Sequence, residues 1–254
     1  MTRQGRVAAV VGLAVVCVLA ALLLPPVAQD PAYHRFADTR PVWGVSNGLN
    51  VLSNLSFVLV GLAGLILLAL PAGPCRFIER REAWPYAALF GGLVLTGAGS
   101  AWYHLAPDNE RLVWDRLPLA VTVMAFFGAT IMERIGVRAG LALLVPLLGL
   151  GVASVLQWHW SELRGQGDLR LYGLVQFFPV LAIPVLYLLF PPRYTGGAVV
   201  VAVLGVYGLA RAFEWGDAAI FALGRVASGH TLKHVAMALA GGGILWMLLI
   251  RRTA

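Results

Sequence analysis

Near its C-terminus the sequence reads HTLKHVAMALAGGGILWMLLIRR, an apolar stretch that opens with His230, Lys233 and His234. Histidines four apart on a helix project from nearly the same face, about 6 Å apart along the axis. Such a pair can grip one metal ion. A second segment, GSAWYHLAPDNERLVWDRLP, supplies His104 as a third ligand, with Ser100 one turn before it and Asp115 after a short loop. Three histidines leave the fourth tetrahedral position of a zinc ion to water, whose pKa the metal lowers to about 7. That is hydrolytic chemistry. Asp115 would orient or deprotonate the water, and Ser100 would hydrogen-bond the substrate carbonyl or its oxyanion. Each piece alone has an ordinary meaning. Histidines at a helix end anchor at an interface, Ser100 among Gly97, Gly99 and Ala101 packs helices, and Asp115 beside Arg116 makes a solvated ion pair. The functional reading rests on their coincidence.

The elements that must bring them together are membrane helices. Of 254 residues 59% are hydrophobic and only 12% charged, and the mean hydropathy is +0.80, which excludes an ordinary soluble domain. There is room for seven or eight spans of about 20 residues and for little else. The net charge of +7 could suggest nucleic acid as a partner, but the basic residues are scattered through short loops and form no stripe. Apolar runs place spans near 7–27, 49–70, 85–104, 112–132, 139–158, 171–190, 196–214 and 230–250. The linkers PPVAQDP, PAGPCRFIERRE, APDNER, ERIGVR, SELRGQGD, PPRYTGG and WGDAAIFALGRVASG carry the breakers and charges of loops. A cytoplasmic N-terminus puts Arg3, Arg6, Arg76, Arg80, Arg81, Arg134, Arg138, Arg193, Arg251 and Arg252 inside, an assignment self-consistent with the positive-inside rule. The expected architecture is an all-α membrane protein, a seven-helix bundle over 31–254 preceded by one extra transmembrane helix within 1–30.

That first helix also resembles a secretory signal peptide. Its apolar run is long for one, and Pro26 fits poorly before a cut after Ala28, so a retained helix is the favoured reading. Cys17 in this span and Cys75 in a cytoplasmic loop are not expected to form a disulfide.

Ionisable residues inside spans are functional-site hypotheses by default. With this topology Ser100, His104, Asp115, Arg211, Glu214, His230 and His234 all fall toward the outer ends of their helices. Arg211 and Glu214 are read as a structural pair on one helix. His34 and His159, flanked by Tyr33 and by Trp158 and Trp160, are read as interface residues. Lys233 points about a quarter turn away from the histidine face and is expected to snorkel to the outer interface.

Taken together, S-x3-H-x10-D in SAWYHLAPDNERLVWD, H-x3-H in HTLKH and N-x-x-S-N in NVLSN resemble the alkaline ceramidase family. It belongs to the membrane-hydrolase superfamily that also contains the adiponectin-receptor-like proteins. The resemblance covers roughly 38–250. It implies a seven-helix bundle with zinc held by His104, His230, His234 and a water. It also implies Asp115 against that water, Ser100 at the metal and substrate carbonyl, and hydrolysis of ceramide to a sphingoid base and a fatty acid. Eukaryotic members carry an acidic D-W-C-E-x-N segment and a later Glu that hold calcium. Here the corresponding stretch is FADTRPVWGVSNGLN, with Asn47 at the Glu position and Asp38 as the remaining nearby acid, which makes calcium regulation doubtful.

Two other readings use the same residues. An ion- or proton-coupled transporter or receptor would employ the His and Asp cluster as a relay, although no repeated halves are present. Haem ligation is disfavoured, because His230 and His234 share one face and cannot take both axial positions. The expected partner is a membrane lipid, the acyl substrate and the oligomeric state stay open, and the expected setting is a bacterial plasma membrane with cytoplasmic termini and the site toward the outer leaflet.

Overall fold

In hydrocarbon every backbone N–H and C=O must be satisfied within its own segment, so the long apolar runs of this chain can span only as helices. The computed structural model describes residues 1–70 and 75–254, which form helices and no β-strand. In chain order these are α1 (Arg3–Leu23), α2 (Gly48–Leu52), α3 (Leu55–Ala69), α4 (Trp84–Leu105), α5 (Asn109–Arg134), α6 (Val137–Leu163), α7 (Arg170–Leu189), α8 (Gly197–Trp215), α9 (Asp217–Gly224) and α10 (Gly229–Ile250). Counting α2 and α3 as one interrupted helix, seven helices among the described residues are long and apolar enough to cross a membrane. The protein is an all-α, multi-pass membrane bundle.

The expected span 85–104 is α4, 22 residues long but diluted by glycines, Ser100 and His104. It tolerates them because α3 and α5 pack along it, so protein rather than lipid covers much of its surface. Four other expectations need correction. The first span stops at Leu23 instead of 27, because Pro25 and Pro26 follow and Leu24 is already extended. The span 49–70 breaks at Ser53–Asn54. The stretch WGDAAIFALGRVASG is not all loop, since α9 occupies Asp217–Gly224. The fourth concerns Lys233 and is described with the site. The first four residues of the expected PAGPCRFIERRE loop lie outside the described residues.

Both chain ends sit at the end of the bundle away from the histidines. Arg3 Nη2 donates to the Ile135 carbonyl at 3.1 Å, just past α5. Arg251, fully buried after α10, donates to Glu133 and, through Nε, to the Arg76 carbonyl at 2.9 Å. Arg193 donates to Glu82 at 2.8 Å, and the Tyr86 hydroxyl to Glu133 at 2.5 Å. This network pairs two buried carboxylates with two arginines, the form in which charges are tolerated in such a place. At the opposite end the segment 24–47 folds over the helix ends. Leu169 N donates to the Val27 carbonyl at 2.8 Å, and Gln29 N to Glu162 Oε1 at 2.6 Å.

Candidate metal centre

His104 stands in the last turn of α4, and His230 and His234 in the first two turns of α10. Two devices fix where α10 begins. Ser228 caps it, its side chain accepting from Thr231 N at 3.2 Å. Gly229 then allows it to start against the end of α8, because a Cβ there would sit 2.0 Å from the Phe213 carbonyl oxygen. Asp217, at the start of α9, ties the entrance together. Its Oδ1 accepts from His230 N at 2.7 Å, and its Oδ2 accepts from Ala37 N at 2.9 Å.

The three imidazoles are buried and form a nearly equilateral triangle. Their ring centroids are 4.9 Å apart for His104 and His230, 4.9 Å for His104 and His234, and 4.8 Å for His230 and His234. The Nε2 atoms of His104 and His230 are 3.3 Å apart. One nitrogen from each residue lies within 4.8 Å of the others. Zinc–nitrogen bonds of about 2.0–2.1 Å at the tetrahedral angle require nitrogens about 3.3–3.4 Å apart. One edge of that tetrahedron is therefore in place, and the third histidine is within a small side-chain adjustment of completing it. The donor chemistry suits a borderline-soft cation.

The ring of His234 is oriented by a partner outside the trio. Its Nδ1 lies 2.8 Å from Ser53 Oγ, and that hydroxyl donates to the Asn50 carbonyl at 3.1 Å. The serine proton is thus committed, so Nδ1–H of His234 donates to Oγ and Nε2 is left bare for a metal. Asn50 is fully buried and joins three segments. Its Oδ1 accepts from Thr231 Oγ1 at 2.8 Å, its Nδ2 donates to the Asp38 carbonyl at 3.2 Å, and its own carbonyl accepts from Asn54 Nδ2 at 2.7 Å. The N-x-x-S-N stretch is therefore a hydrogen-bonded knot that docks α2 against α10. Asn47 adds a bond from its Nδ2 to the His104 carbonyl at 2.9 Å. Phe36 closes the outer side, its ring 4.7 Å from that of His104 and 4.6 Å from that of His230. His104 Nδ1 is buried without a partner among the described residues.

Ser100 and Asp115 meet because α4 and α5 touch at Gly99, where a Cβ would lie 2.0 Å from the Trp114 carbonyl oxygen. The Ser100 side chain lies beside the Asp115 carboxylate. Both line a cavity of about 390 Å³ together with His234, Glu214 and Lys233. His104 and His230 do not line it, so the trio opens toward this space through His234. A narrower apolar pouch of about 90 Å³ adjoins it, sharing Phe57, Leu119, Gln176, Tyr207 and Met237. Gly241 lines that pouch and also makes close contact, since a Cβ there would meet Leu93 at 2.7 Å.

All five expected site residues thus lie around one end of the bundle. Lys233 does not snorkel outward as expected. Its side chain is 16% exposed and its Nζ donates to Glu214 Oε1 at 2.9 Å, because α8 packs beside α10 and offers a carboxylate nearer than the interface. Glu214 also pairs with Arg211, as expected. His34 is only half-buried but is held inside the protein, its Nδ1 2.9 Å from the Tyr103 hydroxyl and its Nε2 3.0 Å from Asn109 Oδ1. His159 is half-buried beside Trp158. Asp38 has its carboxylate taken up by Arg40, with Oδ1 and Oδ2 each 2.8 Å from a guanidinium nitrogen. These hydrogen bonds hold its pKa below the ordinary carboxylate value. Sequence reasoning missed Asp217, which read as one more acid in a loop. Ser53 stood within the quoted N-x-x-S-N stretch, but nothing local tied it to His234.

No protein-family model and no curated protein matches the chain. The donor set and its cavity are the observations that bear on chemistry.

Proposed function

We propose that the chain is a zinc-dependent intramembrane hydrolase that cleaves the amide bond of a ceramide-like lipid to a sphingoid base and a fatty acid. The observation that carries this is the buried His104–His230–His234 triangle, with one nitrogen pair at the 3.3 Å edge of a zinc tetrahedron, opening beside Asp115 and Ser100. His104, His230 and His234 would hold the metal through ring nitrogens, His234 through Nε2. Zinc bound there would polarise a carbonyl and make water a nucleophile at neutral pH.

The remaining work falls to the chain's own groups. The apolar pouch between Leu93, Ile183 and Ile244 takes up the part of the acyl chain next to the carbonyl and leaves the amide at the level of Ser100. The Ser100 hydroxyl donates to the carbonyl oxygen as charge develops on it. The Asp115 carboxylate accepts a proton from the attacking water and returns it to the leaving amine nitrogen, a role of about 10²–10⁴ in rate. Phe36, packed on two of the imidazoles, excludes bulk water from behind the site. Arg134, Arg193, Arg251 and Arg252 at the far end of the bundle support a cytoplasmic far end and, with it, a site toward the outer leaflet.

The half-buried Arg211–Glu214–Lys233 group in the same cavity favours a second reading, an ion-coupled transporter. The two are separated by assaying lipid-amide hydrolysis with metal-stripped and zinc-restored protein. A hydrolase contains about one zinc per chain, releases fatty acid only when zinc is restored, and loses metal and turnover together in His234→Ala. Normal turnover by that variant would overturn the assignment. A transporter releases no product in any arm.

A further inference from the structure

Arg116 follows Asp115 on α5 and faces the same cavity, yet the chemistry above does not use it. Its residue is 5% exposed. Nη2 donates to Gln29 Oε1 at 2.5 Å, and Nη1 is buried with no partner. The guanidinium lies among three aromatic rings, 4.2 Å from the Trp158 centroid, 4.7 Å from Tyr172 and 5.5 Å from Tyr33. Among the described residues no carboxylate pairs with it.

An arginine keeps its charge in any protein environment. Burying that charge is costly unless it is paired and its donors are satisfied. Aromatic faces recover part of the cost, but they leave the free Nη1 donor unanswered. Of the other carboxylates lining the cavity, Glu214 already faces two cations, Lys233 and Arg211, and Asp30 Oδ1 accepts from Ala32 N at 2.8 Å. Asp115 lies beside Ser100 and feels the Arg116 charge, but it forms no ion pair with it. What remains in the cavity wall is a buried guanidinium with one donor unanswered.

Position says which part of a substrate would meet it. The pouch for an acyl chain runs along the helices past Leu93, Ile183 and Ile244. Arg116 lies in the other direction, under Gln29 and Tyr33 of the segment that folds over the helix ends. An amide held at Ser100 and Asp115 with its acyl chain in the pouch directs its amine half toward Arg116.

We propose that Arg116 binds an oxyanion on the amine half of the substrate, which narrows the ceramide-like class above to lipid amides that carry a carboxylate or a phosphate close to the scissile nitrogen. The inference rests on reading the cavity as the substrate site. A planar guanidinium with a free donor matches either oxyanion, and charge-assisted hydrogen bonds of this kind are about twice as strong as neutral ones.

Three amides of one acyl length separate the possibilities: an N-acyl glycine, an N-acyl phosphoethanolamine and a neutral N-acyl ethanolamine. Full-length protein in detergent is expected to cleave one or both anionic amides with kcat/KM about 10–100-fold above the neutral one. In Arg116→Met that ratio collapses toward one, mainly through KM, and Arg116→Lys recovers part of it as a point charge. The better anionic arm tells carboxylate from phosphate. Thermal stabilisation of metal-stripped wild-type protein by the same three amides reads binding without turnover. An anionic preference there, with no product from any amide in the zinc-loaded protein, leaves Arg116 as an anion site and sinks the hydrolase. Equal treatment of neutral and anionic amides by wild-type protein in both assays overturns the proposal and needs no variant to fold. So does an Arg116→Met change that affects all three amides alike.

Discussion

Replacing Ser53 with alanine removes two hydrogen bonds and leaves all three histidines in place, and its effect can be worked from the site. Ser53 Oγ accepts from His234 Nδ1 at 2.8 Å while its own proton is committed to the Asn50 carbonyl. In Ser53→Ala the buried Nδ1–H loses this acceptor, which costs about 1–3 kcal/mol. The ring can then flip or change tautomer, and Nε2 is no longer held bare toward His104 and His230. Loss of such a partner behind a metal-bound histidine lowers metal affinity about 10–100-fold, which is about 1.4–2.7 kcal/mol and agrees with the hydrogen-bond figure. Zinc affinity measured by chelator competition on purified protein is therefore expected to weaken by that factor, while the far-UV spectrum and elution volume stay those of wild type. Turnover at saturating zinc should fall much less, since all three ligands remain. A well-folded Ser53→Ala protein that binds zinc within twofold of wild type would falsify the role assigned to this bond.

Three further outcomes follow from the same geometry. Asp115→Asn should retain zinc and lower amide hydrolysis about 10²–10⁴-fold; an unchanged rate in a zinc-loaded sample would remove Asp115 from proton transfer. Gly229→Ala forces a methyl group onto the Phe213 carbonyl, 2.0 Å from where its Cβ must go, and should destabilise the protein by about 1–3 kcal/mol. A melting temperature equal to wild type in detergent would show that α10 does not begin against α8 as described. Asp168 Oδ1 and Oδ2 accept from Arg170, whose Nη1 reaches the Leu24 carbonyl at 2.7 Å, so this pair lashes the α6–α7 loop to the segment after α1. The arginine hydrogen bonds hold the Asp168 pKa below its ordinary value, which is about 3.9 in an unfolded chain. The pair's contribution is then full above that value and is lost as pH falls through the lower folded pKa. Melting temperature scanned below pH 5 should fall more steeply in wild type than in Asp168→Asn, and parallel curves would argue against the pair.

Much of this protein is written in local sequence. Apolar runs with few charges favour helices, and helices formed at Trp84–Leu105 and Gly229–Ile250 to within a residue of the expected 85–104 and 230–250. The intervals Ser100–His104 and His230–His234 are helical intervals, so each pair shares a face whatever the rest of the chain does. Because spans alternate in direction, those pairs and Asp115 were bound to reach the same end of the bundle.

What meets what at that end is a different kind of information. Lys233 lies within reach of solvent by helix position alone, yet Glu214 on α8 holds it inside. Asp217 gives no sign, in its own neighbourhood, that it will bind both the His230 amide and the Ala37 amide. Ser53 and His234, or Arg116 and Gln29, are joined across many intervening residues by helices whose relative rotation depends on contacts such as Gly99 against Trp114 and Gly229 against Phe213. Periodicity in a sequence fixes the face a side chain occupies on its own helix. The rotation and depth at which two helices lock depend on packing between them, and only the folded bundle sets those.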